Sequence, residues 1–428
     1  MTGRGASPRR GVTIARASAP RNPRPRFGPR SGAARRVCTA LALLLGAVSP
    51  LRAADSDWTV RITPFDQIFP ALELSQARRG ATPRGADARD TGDGSGLIAV
   101  RLRARHAGET VSLTVTAPGL EAPALVETTL AESGRDYVLR PPLAWQPRQL
   151  IAADVPRDTT VSFQLLRDGV DAGTRSRNVS LRPLSEALYF VRDGADSVDL
   201  SWIFAAYVDE GDAVVDRVLA AAAGSGIVAV FDGYASGSEG AVQRQVWAVW
   251  QALAAHGIRY SAADPGIARG PHVFSQRVRL LEQTWNDRSA SCIDGSVLIA
   301  SVLQRIGLRS FLVLVPGHAF VGFHTRAGGK QAAYLETTLL GAMPPPLAAL
   351  PAFAGGIDDL AARRLDIAGY VAALNSGARR YARSAARFDR AHRPHYAVID
   401  IAEARAFGIR PFEAGTTAAA GAAAPGGR

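Results

Sequence analysis

The chain has 428 residues, 47% of them hydrophobic and 21% charged, enough apolar material for two ordinary domains plus tails and too much for a disordered or fibrous protein. Its formal charge of +12 suggests nucleic acid as a partner, but the first 36 residues alone hold ten arginines and no acid. The basic excess belongs to one terminus, so no nucleic-acid partner is expected.

The arginine-rich start leads into VCTALALLLGA, an apolar run from Val37 to Ala47, followed by Ser49, Pro50 and LRAAD. A basic region, a short apolar core and a small-residue exit predict a secretory signal peptide over residues 1–53. The run is short for a membrane span. Cleavage after Ala53 removes eleven arginines and lowers the formal charge from +12 to +1. The mature protein is then periplasmic or secreted, and it stays at the membrane only if the segment remains as an uncleaved anchor. Cys38 leaves with the signal, so Cys292 becomes the single cysteine and no internal disulfide is possible. An unpaired thiol in an oxidising compartment needs a reason, either burial as a structural residue or work as a nucleophile.

From about 55 to 185 the texture is short and alternating. In LIAVRLRARH, Ile98, Val100, Leu102 and Ala104 share one face and Arg101, Arg103 and Arg105 the other. VSLTVTA repeats the pattern with Val111, Leu113 and Val115, and TTVSFQLLRDG with Val161, Phe163 and Leu165. Period-two runs between Gly, Pro, Asp and Asn clusters predict half-buried antiparallel strands, here a small β-sandwich. Residues 82–96 read as a polar, glycine-rich loop within it.

Beyond Leu188 the periodicity becomes helical. AVVDRVLAAAAG and AVQRQVWAVWQALAAHGI repeat apolar residues at three and four spacing, and Gly257 stands in a stop position. Residues 189–412 are expected to form a second domain, and 413–428 a disordered tail of too little variety to specify a fold. The fold class is α+β. Ser291, with Asp294 three residues on, predicts a capping box that starts a helix running to Gly307, which sets Cys292 in its first turn. Helix-terminal N–H groups stabilise a thiolate there, and an ionised Asp294 opposes it. LRSFLVLV reads as a buried strand, Pro316-Gly317 as a turn, and HAFVGF as the adjacent strand beginning at His318. Glu336 interrupts the strand-like AAYLETTLL. A thiol at a helix start, a strand-borne imidazole and a carboxylate on the next strand can together form a nucleophile, its base and the base's orienting partner. A histidine and a thiol packed side by side in a core remain the other reading of the same residues.

At these positions the sequence resembles the bacterial transglutaminase-like superfamily, through RSASCIDGSVLIASVLQRIGL, LVLVPGHAFVGF and YLETT, with QVWAVWQALAAHGIRYS upstream. The likeness is strong over about 240–340 and weaker from 204 to 412. It implies a papain-like core in which Cys292 is the nucleophile, His318 the base and Glu336 the acid that holds the imidazole. Glu336 stands where the family more often has the shorter Asp. The implied reaction is attack on an amide, by a peptidase, an amidase or an acyl transferase. The compartment suggests an envelope protein or peptide as substrate. No cofactor is called for, and the remaining histidines lack metal-site spacing. The backbone N–H of Cys292 is the default oxyanion donor, with Gln251 and Trp285 as side-chain guesses. The Arg-rich RRYARSAARFDRAHRPHY reads as a basic helix face or linker. A non-catalytic envelope scaffold retaining the same fold is the competing function.

Overall fold

The computed structural model describes residues 57–75, 89–93, 96–146, 149–150, 153–194, 196–262, 271–344, 346–356, 365–388 and 395–412. The signal peptide expected over 1–53 and the tail expected over 413–428 lie outside the described residues. The architecture is mixed α+β with several sheets.

The alternating segments do form strands. In chain order these are β1 (Trp58–Ile62), β2 (Gln67–Ile68), β3 (Asp90–Gly92), β4 (Ile98–Arg103), β5 (Glu109–Thr116), β6 (Ala124–Leu130), β7 (Asp136–Arg140), β8 (Arg157–Arg167) and β9 (Val170–Leu181), with a short helix α1 (Pro70–Leu74) after β2. They make a four-stranded sheet in the order β1-β4-β7-β3 and a curled five-stranded sheet in the order β2-β9-β8-β5-β6. Ile98, Val100 and Leu102 are buried while Arg101 and Arg103 are exposed, as the period of two requires. Val111, Leu113, Val115, Val161, Phe163 and Leu165 are buried in the same way. Arg167 spans the two sheets, donating to the Arg103 carbonyl at 3.2 Å and pairing with the buried Glu109 at 2.6 Å. Two parts of the sequence reading need correction. β2 joins β9 and β3 joins β7 in parallel, because strands that far apart in the chain have no hairpin to force opposite directions. The loop expected over 82–96 also contains β3, which that parallel pairing recruits.

The remainder begins with β10 (Glu186–Asp193) and β11 (Asp196–Asp199), followed by a 3-10 turn at Ser201–Tyr207. Next come α2 (Ala213–Gly224) and α3 (Glu239–His256). Asp212 caps α2 and Ser238 caps α3, which ends on Gly257 at φ 91°, a left-handed conformation suited to glycine. β12 (Arg259–Tyr260), β13 (Val273–Arg277), α4 (Leu281–Asp287) and β14 (Ser289–Ala290) lead to α5 (Cys292–Arg305). β15 (Ser310–Val315), β16 (His318–His324), β17 (Ala332–Leu335), α6 (Ile367–Phe388), β18 (Ala397–Asp400) and α7 (Ile401–Ala406) complete the order. β13 pairs with β10 and β12 runs parallel to β14.

β17-β16-β15-β18 is a wholly antiparallel sheet with a helix on each face. Leu312, Leu314, Ala319, Val321, Phe323 and Leu335 belong to the main core with α5. Phe311, Val313, Phe320 and Tyr334 form a second cluster with Tyr381 of α6. Covering both faces explains why β15 is apolar at nearly every position instead of alternating. Among the described residues no helix is long and apolar enough to cross a membrane.

Candidate active site

The capping box predicted from Ser291 and Asp294 sets the head of α5. The Asp294 N–H donates to Ser291 Oγ at 3.4 Å, and the Ser291 N–H donates back to Asp294 Oδ2 at 2.9 Å. The Arg279 backbone N–H also donates to Asp294 Oδ1 at 2.9 Å, and its guanidinium stands 3.7 Å from the carboxylate. The acid expected to oppose a thiolate is therefore already engaged by a cation and two amides.

Cys292, a free and partly buried thiol, occupies the first position of α5. Its carbonyl accepts from Ser296 Oγ at 2.6 Å and from Thr337 Oγ1 at 3.0 Å. Gly295 lets Thr337 come this near, since a Cβ there would sit 3.1 Å from Thr337 Cβ. These contacts tie the thiol-bearing turn to the segment that follows β17.

His318 opens β16 directly after the Pro316-Gly317 turn. Its Nε2–H donates to both carboxylate oxygens of Glu336, at 3.0 and 2.9 Å, and the Cys292 thiol, which lines the same cleft, lies near enough to raise the proton affinity of the ring. With Nε2 turned to the carboxylate, Nδ1 is the nitrogen left for sulfur. The structure brings together all three residues singled out from the sequence.

Glu336 differs in one respect from the expectation of a strand-borne carboxylate. β17 stops at Leu335, and Glu336 is the N-cap of a 3-10 turn over Thr337–Leu339. Its Oε1 accepts from the Thr338 N–H at 3.3 Å and from Thr338 Oγ1 at 2.8 Å. The strand pattern ran on through apolar and β-branched residues, and it ends where the Glu336 side chain caps the turn and the Glu336 N–H turns to the Ala373 carbonyl at 3.1 Å.

Charge follows from this geometry. Burial pushes the His318 imidazole down, but hydrogen bonds to Cys292 and Glu336 and the charge of both outweigh it and raise it to about 9. Burial pushes the Glu336 carboxyl up, and the His318 hydrogen bond and charge, with Thr338 and Arg380, bring it below its ordinary value. The resting pair is an imidazolium on a carboxylate.

Sequence reasoning missed two further residues. Arg380 lies in the stretch read as a basic face or linker, yet its Nε donates to Glu336 Oε2 at 2.9 Å from α6. Tyr260 of β12 pairs in register with Ala290, two residues before the thiol. Burial first, then the charges of Cys292 and Glu336, push its phenol up, so it is held protonated as an O–H donor. A one-turn relation among Ala373, Gly377 and Arg380 was the only local hint for the first. The second had no hint beyond a two-residue strand.

Cys292, His318 and Tyr260 line a cleft of about 590 Å³, walled on one side by Tyr189, Phe274 and Arg277 from the β10–β13 sheet. Gln251 and Trp285, the side-chain guesses for oxyanion donors, instead border a separate cleft of about 600 Å³, where Trp285 stacks on His256. His395, beyond the Arg-rich helix, borders the thiol cleft. Among the described residues no three His, Cys, Asp or Glu side chains gather as a metal site. Comparison with protein-family models and with curated proteins finds no match.

Proposed function

We propose that the protein is an exported thiol enzyme of the transglutaminase-like class, with an N-terminal β-sandwich (about 55–185) and a papain-like domain (189–412), acting on amide bonds of an envelope protein or peptide. One observation supports this above the rest. A single imidazole is bound by both oxygens of Glu336 and lines one cleft with a thiol that raises its proton affinity. A histidine merely satisfied in a core needs neither an accessible sulfur nor an oriented carboxylate.

The chemistry follows from the atoms. Cys292 Sγ, as thiolate, attacks the amide carbon, and the carbonyl electron pair moves onto oxygen. The Cys292 backbone N–H, which has no intrahelical acceptor at the first helical position, is a donor to that oxyanion, and the Tyr260 phenol lines the same cleft. When the C–N bond breaks, the amine leaves with the proton from His318, and a thioester remains. Water that gives its proton back to His318 then attacks the thioester and restores the thiol, completing hydrolysis. An amine in place of water gives transfer. Glu336 keeps the ring in one tautomer and one orientation throughout.

The test is alkylation of the purified protein with iodoacetamide at graded pH, followed by intact mass. Labelling is expected at Cys292, absent in Cys292→Ala and slowed about tenfold or more near pH 6 in His318→Ala. A thiol that reacts no faster than a free cysteine and is indifferent to His318→Ala would overturn the assignment.

A further inference from the structure

We infer that Arg277 is a carboxylate anchor in the thiol cleft, so that the preferred substrate carries an acidic group near the bond attacked. This rests on the thiol-enzyme reading and specifies its substrate.

Arg277 ends β13 and lines the same cleft as Cys292 and His318. Its Nε is buried and has no hydrogen-bond partner among the described residues. Arg244 shares this feature but does not line the thiol cleft, whereas four other arginines with an orphaned buried nitrogen still neutralise their charge elsewhere on the guanidinium. Arg140 does so with Asp90, Arg167 with Glu109, Arg309 with Asp400 and Arg405 with Glu210. Arg277 makes no such pair among the described residues.

The acids near it are committed to other partners. Glu186 stands opposite Arg277 in the β10–β13 ladder, but its carboxylate accepts from Arg182 at 2.8 and 2.5 Å and also from Ser275 Oγ. Asp294, also in the cleft wall, is taken by Arg279 and by the helix cap. Arg279 is spent in turn on Asp294 and on the Ser289 carbonyl, to which it donates at 3.0 Å. Among the described residues the cleft therefore presents one guanidinium with no counter-charge, in a lining that also includes Tyr189, Phe274 and the thiol-bearing turn. A planar fork of donors partly withdrawn from water and left without an anion matches a carboxylate in shape and charge.

The experiment uses two alkylating probes of equal length that differ by one charge, the α-amides of N-chloroacetyl-glutamate and N-chloroacetyl-glutamine. Rates of Cys292 modification are followed by intact mass. In the wild-type protein at low salt the glutamate probe is expected to react about tenfold faster, with the advantage shrinking as salt is added. Arg277→Gln is expected to bring the ratio to about one at an unchanged iodoacetamide rate, and Arg277→Lys to keep part of it as a point charge. Where Arg277→Gln alters the iodoacetamide rate, Arg277→Met, which preserves the stem, takes its place. A wild-type ratio of about one overturns the anchor, as does a ratio that persists in Arg277→Gln or Arg277→Met. The two failures are distinguishable, because a wild-type iodoacetamide rate no faster than a free thiol removes the enzyme reading, whereas a fast rate with no charge preference removes only the anchor.

Discussion

Gly377 and Tyr334 meet backbone to backbone where α6 crosses β17. A Cβ on Gly377 would lie 2.6 Å from the carbonyl carbon and oxygen of Tyr334 and 2.9 Å from the Leu335 nitrogen. One helical turn earlier, the Ala373 carbonyl accepts the Glu336 N–H at 3.1 Å, and one turn later Arg380 reaches the Glu336 carboxylate. The close approach of helix and strand is thus what holds Glu336 from two sides. Gly377→Ala cannot be relieved by a side-chain rotation, because the obstructing atoms are main chain. It should destabilise the protein by about 1–3 kcal/mol through overpacking, read as a lower thermal midpoint, and should also slow Cys292 alkylation. A variant that unfolds at the wild-type temperature and labels at the wild-type rate would contradict this placement of the helix.

Glu336→Gln keeps the shape of the acid and removes its charge. The His318 imidazolium, held up to about 9 in part by that charge, should then titrate closer to its ordinary range. The basic limb of the pH profile should move toward neutrality, seen in the His318 ring-proton shifts and in the alkylation rate. An unmoved titration would show that Glu336 does not act on the ring.

Stability should follow the same two groups with opposite signs. His318 gains its proton affinity on folding, so its contribution is complete below its ordinary 6.5 and is lost as pH rises through about 9. Glu336 is shifted below its ordinary 4.5, so its contribution is present above that value and is lost as pH falls beneath it. Denaturant midpoints of the wild type and of His318→Ala, compared from pH 5 to 10, should converge at the alkaline end. Curves that stay parallel would remove the linkage.

Arg380→Gln leaves Glu336 with His318 and Thr338 as partners. Because the arginine side chain is 37% exposed, its ion pair is screened and the thermal midpoint should barely change. Alkylation of Cys292 should slow by several-fold because the carboxylate is less firmly placed, and Arg380→Lys should recover part of that. A rate unchanged in Arg380→Gln would make the contact incidental.

Thr337→Val keeps volume and deletes the hydroxyl that donates to the Cys292 carbonyl. The expected cost is about 1 kcal/mol, the usual net worth of one such bond, since Ser296 still serves the same carbonyl. Equilibrium unfolding measures it, and a loss several times larger would mean that Thr337 supports more than this bond and its 3.3 Å contact with Ser296 Oγ.

The sequence alone determined much of what depends on neighbours along the chain. Alternation fixed which residues of β4, β5 and β8 point inward, Ser291 and Asp294 marked the first turn of α5, Gly257 closed α3, and the order of Cys292, His318 and Glu336 was legible before any of them was placed. Only the tertiary structure decided that the three converge, that Glu336 caps a turn instead of continuing a strand, that Arg380 reaches Glu336, and that Tyr260 and Arg277 line the cleft with the thiol. These residues come from a helix, a two-residue strand and a distant sheet edge, and their meeting depends on sheet register and on how closely α6 lies on β17. A periodic pattern tells which face of an element is buried; it carries no record of which other element buries it or at what angle, because that is settled by packing among segments far apart in the chain.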